Sequence, residues 1–122
     1  MNKKDLENRL INFSTFIIEI SEKISKTYAG IVLAKQIVRS GTSVSLNYGE
    51  AQSAESRKDF IHKLKIILKE LRETMVSLKL LYKSNLTDKN VLQQAINECN
   101  ELISIFVRSI ETARKNLKSE NR

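Results

Sequence analysis

The chain contains no proline and only three glycines, Gly30, Gly41 and Gly49, in 122 residues. Proline and glycine are the residues that most disfavour a helix interior, so a chain this poor in both has few built-in places to turn. Apolar residues recur by threes and fours along nearly the whole length, the period of an α-helix. No segment alternates apolar and polar residues as a half-buried strand would. The chain can therefore be little other than all-α, with breaks only where cap-forming residues cluster.

Four helices follow from the spacing. The first covers about residues 3–24, with a seam of Leu6, Leu10, Phe13, Ile17, Ile20 and Ile24, while Ile11 and Ile18 lie seven apart on another side and can face a second partner. Thr27 is the expected N-cap of a second helix over about 28–54, with Leu33, Ile37, Val44, Tyr48 and Ala51 inward. Only Lys35, Arg39 and Glu50 are charged there, which predicts burial on more than one side. Ser56, with Asp59 three residues on, resembles a capping box opening a third helix over about 56–83, whose seam runs Ile61, Leu64, Leu68, Leu71, Met75, Leu78 and Tyr82. Asn85 is the expected C-cap and Thr87 the next N-cap. The fourth helix, about 88–117, carries Leu92, Ala95, Cys99, Leu102, Phe106 and Ala113 on one line, and Ile96, Ile103, Ile110 and Leu117 on the next. Short connections between long helices predict one domain over residues 1–122, an antiparallel up-down-up-down four-helix bundle.

Composition limits the function classes. Hydrophobic residues make up 41% and charged residues 29%, a globular rather than disordered balance. No apolar run approaches 18 residues, so no membrane span is expected. Asp5, Glu7 and Arg9 interrupt the first apolar positions, unlike a signal peptide, so the expected location is the cytoplasm. Cys99 has no partner for an internal disulfide, and its core spacing predicts a buried, inert thiol.

The charge pattern carries the clearest functional signal. Lys58, His62, Lys65, Lys69, Arg72, Val76, Lys79 and Lys83 follow one another by alternating steps of four and three on the third helix, and only Val76 interrupts the cations and histidine. At roughly 100° per residue they share about 100° of the circumference, over roughly 38 Å of helix, with no acid among them. Residues 55–83 hold eight cations against four acids, a net +4 within the chain's total of +7. Mixed signs are the usual pattern of a merely solvated face, so this rail points to a polyanion. It has no interleaved aromatic residues, which predicts contact with backbone phosphates rather than base stacking.

A second line lies on the charge-poor helix: Gln36, Ser40, Ser43, Asn47 and Glu50, with Arg39 at its edge. Polar groups beside a buried stripe need partners, because each one left unpaired costs roughly 1–3 kcal/mol. The expected role is a structural or inter-subunit hydrogen-bond network; the alternative is a ligand site.

The string Gln36-Ile37-Val38-Arg39-Ser40-Gly41-Thr42-Ser43-Val44, followed by Asn47 and Glu50-Ala51, resembles the signature of the four-helix-bundle proteins first known from intervening sequences in bacterial 23S ribosomal RNA genes. Asp59-Phe60, Leu64, Ile67, Lys69-Glu70 and Glu73 are similar to that family's third helix. The resemblance implies an antiparallel bundle that assembles into a ring-like homopentamer. A more distantly similar protein, the accessory variability protein of diversity-generating retroelements, is a basic pentameric bundle that works with a reverse transcriptase and nucleic acid.

Catalytic constellations find little support. A di-iron bundle needs a Glu-x-x-His motif from each of two helices, and His62 is the only histidine. There is no phosphate-cradling glycine loop and no serine placed to use His62 as a base. Glu50 and Glu73 could form a carboxylate pair, but structural pairing with Arg39, Lys69 or a serine is the expected role. The sequence thus predicts a non-enzyme without cofactor or metal. It is either an oligomer binding RNA or DNA, or a scaffold for a protein partner such as a polymerase, with Ile11, Ile18, Ile66 and Leu80 as apolar anchors.

Overall fold

A computed structural model describes residues 1–121 and contains four helices: α1 Lys3–Glu22, α2 Tyr28–Ala51, α3 Arg57–Lys83 and α4 Lys89–Glu120. Each helix packs against its sequence neighbour, and α1 closes the ring against α4 over the smallest contact. The result is the up-down-up-down bundle expected from the short loops.

The ends are fixed by side-chain caps. Asn2 and Asp5 form a reciprocal capping box on α1. Thr27 accepts from the Gly30 amide at 3.0 Å, and Ser56 from the Asp59 amide at 3.0 Å. The fourth cap differs from expectation: Asp88, not Thr87, accepts from the Asn90 and Val91 amides. Thr87 is diverted to the neighbouring loop, where its hydroxyl donates to the Lys23 carbonyl oxygen. Ser25 N donates to the Leu86 carbonyl oxygen at 2.8 Å, so the α1–α2 and α3–α4 loops pin each other at one end of the bundle. Asn85 lies one residue beyond the C-cap Ser84, with φ of 56°, the left-handed conformation in which asparagine commonly ends a helix.

The core is continuous from Leu6 to Ala113 and includes the buried Phe13, Ile17, Ile37, Leu71, Leu78 and Phe106. Tyr48 meets Phe106 edge to face, with ring centroids 6.1 Å apart. Burying one such side chain stabilises by about 1.5–3 kcal/mol. Cys99 is fully buried, its Sγ 3.3 Å from the Leu71 carbonyl oxygen, and burial pushes its thiol up to about 12.

Two contacts set the spacing of the helices. A Cβ added at Gly41 would stand 2.7 Å from Ile17 Cγ2, so only glycine lets α1 and α2 approach this closely. Beside it, Ser14 donates to the Gly41 carbonyl oxygen at 2.7 Å. On the opposite flank of α1, Arg9 grips both carboxylate oxygens of Glu98 on α4 at 2.7 and 2.8 Å and reaches Glu101 at 2.9 Å. The bidentate bond to Glu98 is the main reason the Arg9 pKa is raised.

As expected, α2 is covered on more than one side: among the described residues α1 and α3 flank it and its Tyr48 meets Phe106 of α4, while its outer face is open, with Tyr28, Ile31, Val32 and Leu46 exposed. Ile11, Ile18 and Leu80 are exposed as expected, while Ile66 is half-buried. Among the described residues no helix is long and apolar enough to cross a membrane.

Candidate nucleic-acid interface

The rail on α3 is where its spacing places it. Lys58, His62, Lys65, Lys69, Arg72, Val76, Lys79 and Lys83 are all exposed. Its core seam turns the other way, with Leu64, Leu71 and Leu78 buried. None of the rail's lysines, nor Arg72, forms an ion pair among the described residues, although Arg9, Arg39, Arg57 and Lys63 all do. The helix therefore displays a row of uncompensated charge, the arrangement that attracts a polyanion.

The polar line of α2 is not one network. Ser40 is buried, with its hydroxyl 2.8 Å from the Thr74 hydroxyl, and Thr74 Oγ1 lies 2.8 Å from the Glu70 carbonyl oxygen, to which its one proton can be given while it accepts from Ser40. Ser43 and Asn47 donate to carbonyl oxygens of their own helix, at Arg39 and Ser43, and hold no other element among the described residues. Gln36 and Glu50 are exposed. Arg39 spans to α3, with Nη1 3.2 Å from Glu70 Oε2 and Nη2 2.5 Å from Glu73 Oε2. The hydrogen bond to Glu73 and then the charge of Glu70 raise the Arg39 pKa.

Helix register explains which of these groups meet. Ser40 stands opposite Thr74. In antiparallel helices Glu50, ten residues on, is roughly 15 Å further along. It faces Lys63 at 3.9 Å, while Glu73 stays with Arg39. Glu50 and Glu73 are therefore not brought together, and Glu50 takes Lys63 rather than Arg39, Lys69 or a serine.

What the structure adds is a shared groove. The α2–α3 flank holds an open groove of about 710 Å³, where Gln36, Arg39 and Ser40 of the polar line face Lys65, Lys69 and Arg72 of the rail. Sequence reading treated the two lines separately. It also passed over Thr74 and Ser77 as groove and contact residues, although Glu70, Glu73 or Thr74, and Ser77 follow the same three-four step on the flank turned to α2. Ser77 is 8% exposed, lines the groove and makes no side-chain hydrogen bond among the described residues.

Comparison with known proteins agrees with the architecture. Residues 3–108 match the family described as 23S rRNA-intervening sequence protein. A solved protein of unknown function from the S23 ribosomal protein family of Bacteroides thetaiotaomicron has a TM-score of 0.83 and 32% identity, covering 91% of this chain and 99% of that one. No curated protein matches.

Proposed function

We propose, from the premise that the chain belongs to the 23S rRNA-intervening sequence protein family, that it is a non-enzymatic, self-associating protein that binds RNA or other nucleic acid through backbone phosphates. The observation that carries this reading is the row Lys58, Lys65, Lys69, Arg72, Lys79 and Lys83, exposed and without acid partners among the described residues. His62 lies on the same row. Repeating the row by symmetry in a homo-oligomer would add phosphate contacts from each copy. A pentamer is the assembly implied by the family resemblance, and the exposed Ile11, Ile18, Ile31 and Leu46 supply apolar surface for it.

The test is a salt series with two RNAs of unrelated sequence. Log affinity should fall linearly with log salt, by about 0.7 per neutralised phosphate on a single strand, and equally for both RNAs. A second reading, a scaffold for a protein partner, is favoured by those same exposed apolar side chains on α1 and α2. Assembly without measurable RNA affinity at low salt would select it.

A further inference from the structure

The two walls of the α2–α3 groove differ in a way the rail alone does not require. On the α3 side stand Lys65, Lys69 and Arg72, all exposed and without ion partners among the described residues. On the α2 side the one cation, Arg39, is already held by Glu70 and Glu73 of α3, so that wall offers a neutral group, the Gln36 amide. Val76, on the rail itself, and Leu80, next to it on the side towards α2, add exposed aliphatic side chains, and Ser77 also lines the groove. The Ser77 hydroxyl has no partner among the described residues although the residue is more than nine-tenths buried. Since no sealed side-chain oxygen or nitrogen is left without a hydrogen bond, that hydroxyl is reached from the groove. An unpaired hydroxyl and an unpaired amide, which carries both donor and acceptor, are thus set beside aliphatic side chains and a row of cations.

We propose that this groove is a nucleotide site, taking an unpaired base of a single-stranded nucleic acid whose phosphates lie on Lys65, Lys69 and Arg72. The proposal rests on the phosphate-binding reading above and adds a site for the base. Its chemistry matches the groove: one anionic edge for the cationic wall, and one neutral, flat face with donors and acceptors for the other. An acidic peptide fits worse, since its carboxylates match the cationic wall but its side chains offer no flat neutral face for the aliphatic surface and the Gln36 amide. The groove's 710 Å³ falls within the roughly 300–1,000 Å³ usual for ligand sites. A duplex hides the base in its stack and winds its phosphates away from a straight helix, whereas a flexible single strand can follow one. With aliphatic rather than aromatic contact, the site tolerates any base.

The experiment measures binding to the full chain by fluorescence anisotropy with three probes of equal length: a single-stranded RNA, an abasic phosphodiester strand, and polyglutamate. The RNA should bind about threefold or more tightly than the abasic strand, the scale of one hydrogen bond to a base removed. The double variant Gln36→Ala/Leu80→Ala should lower RNA affinity to the abasic level and leave abasic affinity and the salt slope unchanged. Both side chains are exposed and Gln36 makes no side-chain hydrogen bond among the described residues, so the variant should fold, and the wild-type comparison needs no variant at all. Equal binding of RNA and the abasic strand would overturn the base site while leaving the phosphate reading intact. Polyglutamate binding as tightly as RNA would overturn it by showing a site that reads charge alone. Failure of all three probes to bind would end both readings together.

Discussion

Two lines of polar residues on neighbouring helices obey the same three-four step and meet opposite fates. On α2, Ser40 and Arg39 are engaged by Thr74, Glu70 and Glu73, and Ser43 and Asn47 are satisfied by their own backbone. On α3, Lys58, Lys65, Lys69, Arg72, Lys79 and Lys83 point to solvent and pair with nothing among the described residues. The difference lies in the angle each line makes with the core. A line within reach of a neighbouring helix is used to hold it, because an unpaired group there is costly. A line turned away from every neighbour does nothing for the fold, so its composition is free to serve a partner.

The largest effect should come from breaking the outward line. Lys65→Glu, Lys69→Glu and Arg72→Glu together should lower affinity for unrelated RNAs roughly a hundredfold at low salt, and shrink the salt slope by about 2, as three phosphate contacts are lost. Thermal unfolding should hardly move, because exposed positions without native partners contribute within about 0.5 kcal/mol. Unchanged affinity would remove the rail from function; a large loss of stability would show that its cations have folding partners after all.

The inward side of α2 should respond in the reverse sense. Gly41→Ala sets a methyl 2.7 Å from Ile17 Cγ2 and should destabilise by about 1–3 kcal/mol, visible as a lower midpoint in thermal or urea unfolding, with RNA affinity per folded molecule kept. Gly49→Ala, on the same helix with nothing within 4 Å of the added carbon, should instead stabilise by about 0.5–1 kcal/mol. If both substitutions had the same sign, close approach at Gly41 would not be what spaces α1 from α2.

A smaller effect tests the bonded part of the polar line. Thr74→Val keeps the shape but removes the hydroxyl between Ser40 and the Glu70 carbonyl oxygen, and should cost about 1 kcal/mol. A neutral result in urea unfolding would mean that the Ser40–Thr74 contact adds nothing beyond packing.

These contrasts also mark what could be read from sequence. Helix period needs only local spacing, so the four helices, most of the Leu and Ile seams, the caps Thr27 and Ser56 and the exposure of the rail were legible, although Leu33, Leu68, Tyr82 and Ile96 are only half-buried and the fully buried Leu81 was in no expected seam. The choice between Thr87 and Asp88 was not, since both residue types cap well and only the packed loops assign Thr87 to Lys23. Nor was the fate of the α2 line. Serine and asparagine can always turn back to a carbonyl four residues earlier, as Ser43 and Asn47 do, and whether they reach across depends on helix register. Register also decides that Glu70, Thr74 and Ser77 come to the α2 side, so the groove joining the two lines appears only once the helices are packed.

The smallest effect on stability should come from Glu50, and its size decides whether the α2 line is one device or two. Glu50 is exposed, lies 3.9 Å from Lys63 and has no other ion pair among the described residues. Exposed pairs of this kind contribute about 0–1 kcal/mol, because two flexible side chains must be ordered for an attraction that water and salt weaken. Glu50→Leu should therefore shift unfolding by no more than about 0.5 kcal/mol. Ser40, ten residues away along α2, and its α3 partner Thr74 should be indifferent to it, since sites so far apart act additively. The same substitution extends the apolar face that already includes Leu46, so any consequence should appear in assembly, as a changed molecular mass in sedimentation equilibrium. A loss of several kcal/mol, or a cost that depends on whether Thr74 has been replaced, would show that the α2 line acts as one coupled network. Independence would confine the structural role to Ser40 and Arg39 and leave the Glu50 end of the helix as free surface, like the rail beside it.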